Sequence, residues 1–329
     1  MAWLATRVPM FRRSGRAEPP RLVDDPAMTD AELAQARDLA VNTGQWEPAA
    51  DLLAGTAGGD WDRRGAVANT LATAAVQQAP WLDAWLEARP EDPGAHVVVA
   101  WTTVQRAWHA RGHGRASATG ESAFDAFFRI LEEALPLAHR AVRTAPDDPT
   151  PWVVLTWLSI GRQDGREVLD DRWAELVGRD PQNRLGHIAR LQCVSRKWSG
   201  SHEEMYDFAR SATAPPWAPA LPLQAHAEYT LDERDEGDVN ALHGFWQRPD
   251  VSHDLDAGHA WATTTQPAHS YAFHDLTVVG YALAQAERWT QAAQVFRLLG
   301  PRAYEYPWYY HAHAERTFAK AYERATSAG

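Results

Sequence analysis

The sequence predicts an all-α chain built as a solenoid of antiparallel helix pairs, and three observations predict it. Asp-Pro corners recur at Asp92-Pro93, Asp148-Pro149 and Asp180-Pro181, each just ahead of a helix start. From Pro90, Pro146 and Pro181 the first large ring of the next helix lies six residues on, at His96, Trp152 and His187. Apolar residues then recur at the helical period. The clearest stripe is Phe124, Phe127, Phe128, Leu131, Leu135, Ala138 and Val142. No segment alternates as a strand would.

Taken in order, residues 1–26 mix Pro, Gly and Arg without periodicity and are expected to form a flexible N-terminal arm. Thr29 and Glu32 have the spacing of a capping box, which opens a helix running to Gly44. Its partner, 46–54, ends at Gly55 and the Gly58-Gly59 pair. Helices 61–77 and 80–88 make the next pair. The helix from His96 to Arg111 finds its partner only after an insert at 112–120. Pro136 should kink or split that partner, because it lacks a donor and crowds the preceding turn. Pairs follow at 150–161 with 166–178 and at 184–197 with 201–212. Ser201 is read as the cap of the latter, with Glu204 reciprocating. Beyond Pro215-Pro216 the pattern loosens into a helix near 219–231, an acidic loop at 232–238 and an irregular stretch at 247–270. Leu276, Val279, Gly280 and Leu283 restore the helical period, 289–299 completes that pair, and 308–325 reads as a capping helix on which His311 and Glu315 share a face. The domain division is therefore an arm, 1–26, and a single helical-repeat domain, 27–329, with an irregular excursion near 232–270.

Composition narrows the function classes. A net charge of −11 argues against nonspecific nucleic-acid binding, which needs a basic face to release counterions. No run approaches the roughly 18 apolar residues of a membrane span. The single Cys193 can form neither an intrachain disulfide nor a zinc cluster and reads as a small buried hydrophobe, which suits a reducing cytoplasm. Of 32 Lys and Arg residues only Lys197 and Lys320 are lysines, a bias expected of a GC-rich bacterial coding sequence. Sixteen Trp residues need either a core or a partner to cover them.

Helix pairs of roughly 34 residues with Pro at the exit resemble the tetratricopeptide repeat. The last pair is most similar, with Gly280, Ala292 and Phe296 at the family's small and aromatic positions; Ala100, Thr156 and Leu191 replace that glycine elsewhere. The resemblance implies a right-handed superhelix in which the first helix of each pair lines a concave groove. A narrower likeness covers roughly 90–215. Trp108 to Gly112, the run Arg196 to Ser201, and Phe208 to Arg210 resemble a bacterial family of unknown function that carries Trp-Gly-Gly-Ser, where this chain has Ser199 for the first Gly. That family supplies no reaction.

The register carried over from the repeat family puts Trp101, Trp157, Gln192 and Tyr281 on the groove face. Gln105, Gly161, Arg196 and Gln285 follow one turn later. Rings give contact area at low entropy cost and amides can satisfy a peptide backbone. The expected ligand-binding set is therefore Trp101, Gln105, Trp157, Gln192, Arg196, Tyr281 and Gln285. Trp101 and Trp157 could equally fill the core between repeats. The expected protein is a cytoplasmic scaffold that binds a protein or peptide partner, with no cofactor, nucleic acid or membrane involved. The alternative is an enzyme with a metal or acid–base site near 253–275, where His253, Asp254, Asp256, His259, His269, His274 and Asp275 cluster. No His-Glu-x-x-His occurs, so no metal is expected; His253, His259, His269 and His274 would be its ligands under the alternative.

Overall fold

A computed structural model describes residues 18, 20–112, 120–198, 200–238, 242–265 and 267–328. Among these the chain is all-α, with fifteen α-helices. In order they are α1 (Ala31–Thr43), α2 (Glu47–Gly55), α3 (Trp61–Ala74), α4 (Pro80–Ala88), α5 (Pro93–Arg111), α6 (Glu121–Thr144), α7 (Thr150–Arg162) and α8 (Arg166–Arg179). The remainder are α9 (Arg184–Cys193), α10 (His202–Ser211), α11 (Ala220–Glu236), α12 (Pro249–Thr264), α13 (Ala272–Gln285), α14 (Trp289–Leu299) and α15 (Ala314–Ala328). Helices adjacent in sequence pack on each other, as α5 on α6, α7 on α8 and α13 on α14. At Gly280 an added Cβ would come within 2.8 Å of the Phe296 ring, so this glycine sets how closely α13 approaches α14.

The corners work through side-chain caps. Asp92 accepts from the Gly94 amide at 2.9 Å, Asp148 from Thr150 at 2.8 Å and Asn183 from Gly186 at 2.8 Å. Each satisfies a helix N-terminal amide that has no partner within its helix. Ser201 caps α10 through Oγ, 3.1 Å from the Glu204 amide. Glu204 itself turns to Arg166, so only half of the expected capping box forms. Gly200 is required by contact: a Cβ there would lie 2.0 Å from the Val194 carbonyl oxygen. Ser201→Ala should cost about 1 kcal/mol in a denaturant titration through loss of the cap; unchanged stability would show that water serves α10 equally well.

Several expectations are corrected. Asp30, not Thr29, caps α1 through the Leu33 amide, at 3.0 Å. Pro136 lies inside one unbroken α6. The stretch expected to be irregular holds α12, whose buried stripe is Val251, Leu255, Gly258 and Ala262. The acidic segment 232–236 is the last part of α11, not a loop. His311 and Glu315 do not share a helix, because a 3-10 turn, Trp308–Tyr310, precedes α15. The arm is not wholly free. Arg21–Val23 (β1) pairs in parallel with Arg302–Tyr304 (β2), the two strands among the described residues. Residues 1–17 and 19 of the expected arm, most of the 112–120 insert and Ser199 lie outside the described residues.

The first described strand meets the C-terminal elements. Beside the β1–β2 pair, the Leu22 amide donates to the Glu315 carboxylate, at 3.1 and 3.2 Å, and the Ser270 amide donates to Asp62 at 2.7 Å. In an open repeat stack each unit touches only its neighbours; these contacts instead join elements more than 200 residues apart in sequence. Among the described residues the apolar interior divides into two large clusters and a small third one of Ile160, Leu169 and Cys193. One large cluster spans α1 to α8 with Leu185; the other spans Leu191 to Ala325 and takes in Leu22. A polar seam runs between them, carried by α9, α11 and α13.

Candidate functional site

A cleft of roughly 270 Å³ opens on this seam. Ile188 and Gln192 from α9 and Gln224 and Glu228 from α11 enter it as i, i+4 pairs, which share a helix face. Lys197 and Trp198 come from the turn after α9, Trp157 from α7 and His274 from α13. Tyr306, Tyr309 and Tyr310, around the 3-10 turn, complete the wall.

Glu228 forms the floor and is 2% exposed. Its Oε1 accepts from Gln192 Nε2 at 2.9 Å, Tyr306 OH at 3.0 Å and Tyr310 OH at 2.7 Å, while Oε2 accepts from Lys197 Nζ at 2.6 Å. Burial pushes the carboxyl pKa up. The Lys197 charge, with the hydrogen bonds from Lys197, Tyr310 and Gln192, outweighs burial and holds Glu228 below the ordinary value. Burial next to this carboxylate drives Tyr306 and Tyr310 well above theirs. All three groups therefore keep their charge states near neutral pH.

A second unit lies beneath His274. Arg184 and Asp275 are fully buried and pair in a fork: Nε reaches Oδ2 at 2.9 Å and Nη2 reaches Oδ1 at 2.5 Å. Nη2 also donates to Gln224 Oε1 at 3.1 Å, and the guanidinium lies 4.9 Å from the Trp217 ring centre. Burial raises the Asp275 pKa. The Arg184 charge and the hydrogen bonds from His274 and Arg184 overcome it, so Asp275 stays ionised far below the usual carboxylate range. Asp275 Oδ1 lies 3.0 Å from His274 Nδ1. An ionised carboxylate can only accept, which assigns a proton to Nδ1; in the neutral imidazole Nε2 is then the lone-pair acceptor. The imidazole stacks on Tyr306, 5.4 Å between centres and 6° between planes. His274 lines the cleft, and Nε2 has no hydrogen-bond partner among the described residues.

The expected groove residues separate. Trp157 and Gln192 come together in the cleft. Trp101 is 4% exposed and belongs to the N-terminal core, although its register matches that of Trp157. Gln105 donates to Asn69, and Gly161 packs under Phe127 and Leu131. Tyr281 is buried against Trp308, with its hydroxyl 3.2 Å from His311 Nε2. Arg196 is 40% exposed and engages Asp232 at 2.7 Å, outside the cleft lining. Gln285 is half-buried and also lies away from it. Trp101 and Trp157 therefore do not share one groove wall. Sequence reasoning missed Glu228, Gln224, Lys197 and the tyrosines. One signal was available: Lys197 is one of two lysines in a chain that otherwise uses Arg.

The four histidines of the alternative site do not assemble. His253 is exposed on α12, and His259 bonds Gln294 of α14. His269 and His274 both face Asp275, His269 with Nε2 at 3.6 Å. Another group, His202 with Asp232 and Glu233, lies close enough to hold a metal ion. Arg196 already spans its two carboxylates, at 2.7 and 3.5 Å, and supplies the positive charge a metal would bring. Compared with protein-family models, curated proteins and solved structures, the chain matches none of them, so its functional reading comes from this cleft.

Proposed function

We propose that this chain is a cytoplasmic bacterial scaffold of tetratricopeptide-like helix pairs, wound as a right-handed superhelix, that binds a protein or peptide partner in the cleft. The observation that carries the reading is the convergence of Trp157 and Gln192 with Lys197, Trp198 and the half-exposed Tyr309 around one concavity. Rings on the walls would cover an apolar side chain of the partner. The Lys197 ammonium, 29% exposed and bonded to Glu228 through one of its three protons, has donors to offer a peptide carbonyl. The net charge of −11 opposes a nucleic-acid partner, and no described helix is long and apolar enough to cross a membrane.

The test is Trp157→Ala against peptides selected from a display library for binding the native chain. Binding should weaken by about 2 kcal/mol or more, the usual cost of losing an aromatic anchor. Stability should fall only modestly, since Trp157 is half-buried and its described ring contact is with Trp108, edge-on at 6.4 Å. If the variant unfolds instead, Trp157 is a core residue and the reading fails.

A further inference from the structure

We infer that the cleft is also a catalytic site, in which His274 acts as general base for the hydrolysis of a carboxylic ester by water. The inference rests on the reading that this cleft is a ligand site.

Three features of the geometry point to it. The imidazole belongs to the cleft lining, with Nδ1 held by Asp275 and Asp275 forked by Arg184, which leaves Nε2, unpartnered among the described residues, as the acceptor of the neutral ring. This is the base-and-orienter half of a nucleophilic triad, where the third group exists to fix tautomer and aim. Second, Lys197 brings an ammonium to the same cleft, positioned by a 2.6 Å bond to Glu228. Third, the described lining contains no Ser, Thr or Cys, and burial pushes the Cys193 thiol up to about 12. Burial raises the three cleft tyrosines well above their ordinary range, so their hydroxyls stay protonated, and Lys197 is engaged by Glu228; the nucleophile assigned is water.

The step balances without any further reagent. His274 Nε2 takes a proton from a bound water as the water oxygen adds to the ester carbonyl carbon, and the carbonyl π pair moves onto its oxygen. Lys197 faces that oxyanion, since a positioned cation is worth most where negative charge develops. As the tetrahedral carbon collapses, the C–O bond to the alcohol breaks and the imidazolium returns its proton to the departing alkoxide. Ester and water become acid and alcohol. Trp157, Trp198 and Tyr309 supply apolar cover for the acyl or alcohol group. Asp275 and Arg184 touch no reacting atom and are positioning residues.

The test uses the full chain with a series of p-nitrophenyl esters of increasing acyl length. Saturable release of p-nitrophenol is expected. His274→Ala should lower kcat/KM by about 100-fold or more, the scale of general-base catalysis. Added imidazole should restore part of that loss, which no purely structural role of His274 would allow. Lys197→Met should lower kcat more than it raises KM. Turnover by the native chain no faster than by equimolar free imidazole overturns the inference, as does His274→Ala retaining native rates. If selected peptides bind through Trp157 but no ester turns over, the catalytic inference falls and the scaffold stands. If His274-dependent turnover occurs and no peptide binds, the scaffold falls and the catalytic inference stands.

Discussion

Arg184→Met should destabilise the protein by about 3–5 kcal/mol, because it strands a buried carboxylate. Arg184 and Asp275 are both inaccessible to solvent, and the guanidinium supplies the dominant charge that keeps Asp275 ionised. Without it, Asp275 must take up a proton or remain a buried charge held by His274, with His269 3.6 Å away. Asp275→Leu should cost a similar amount, since it leaves the guanidinium bonded only to Gln224 Oε1 among these partners. The double variant, Arg184→Met with Asp275→Leu, should be more stable than the sum of the single losses implies, because no lone charge is left. Guanidinium denaturation of the four proteins reads the coupling directly. A coupling near zero would mean that solvent reaches the pair, contrary to its burial.

The second large effect is loss of stability on acidification, centred on His187. Its ring is buried between Trp173 and Trp217, with centres at 4.9 and 4.6 Å, and Nδ1 lies 2.8 Å from the Asn183 carbonyl oxygen. Burial lowers its pKa from 6.5 to about 4, only partly opposed by that backbone contact. The folded state therefore binds fewer protons than the unfolded state between these values, and stability rises with pH there. The contribution is complete above about 6.5 and is lost as pH falls toward 4, a change of roughly 3 kcal/mol for a shift of this size. His311, lowered to about 4 by burial and then by Arg234, acts in the same direction. Denaturation midpoints of the native chain and His187→Leu, compared from neutral pH down to about 4, isolate the term. The variant should lose less stability over that interval. Parallel curves would show that His187 takes up its proton as readily in the folded state as in the unfolded one.

Local signals alone set the helices. Asp92, Asp148 and Asn183 cap in the crystal-clear sense that one side-chain oxygen meets one free amide, and that can be read from a few adjacent residues. The 3.6-residue stripes then placed α6 and α14 because each buries one apolar face, whereas α13 is buried nearly all round. Where the buried face carries polar residues the signal fails. In α12, Asp254 faces inward to His226 at 2.9 Å and Arg210 at 2.9 Å, so the stripe looks broken until those partners are known. The same limit hid the cleft. Trp101 and Trp157 have equivalent registers, yet one is core and one is wall, because burial depends on what the neighbouring helices bring. Glu228 meets Lys197, 31 residues away, and Tyr310, 82 away; Arg184 meets Asp275 across 91. No periodicity encodes such separations. They follow from how the two apolar cores pack, and only the tertiary structure decides which polar groups are left facing each other on the seam between them.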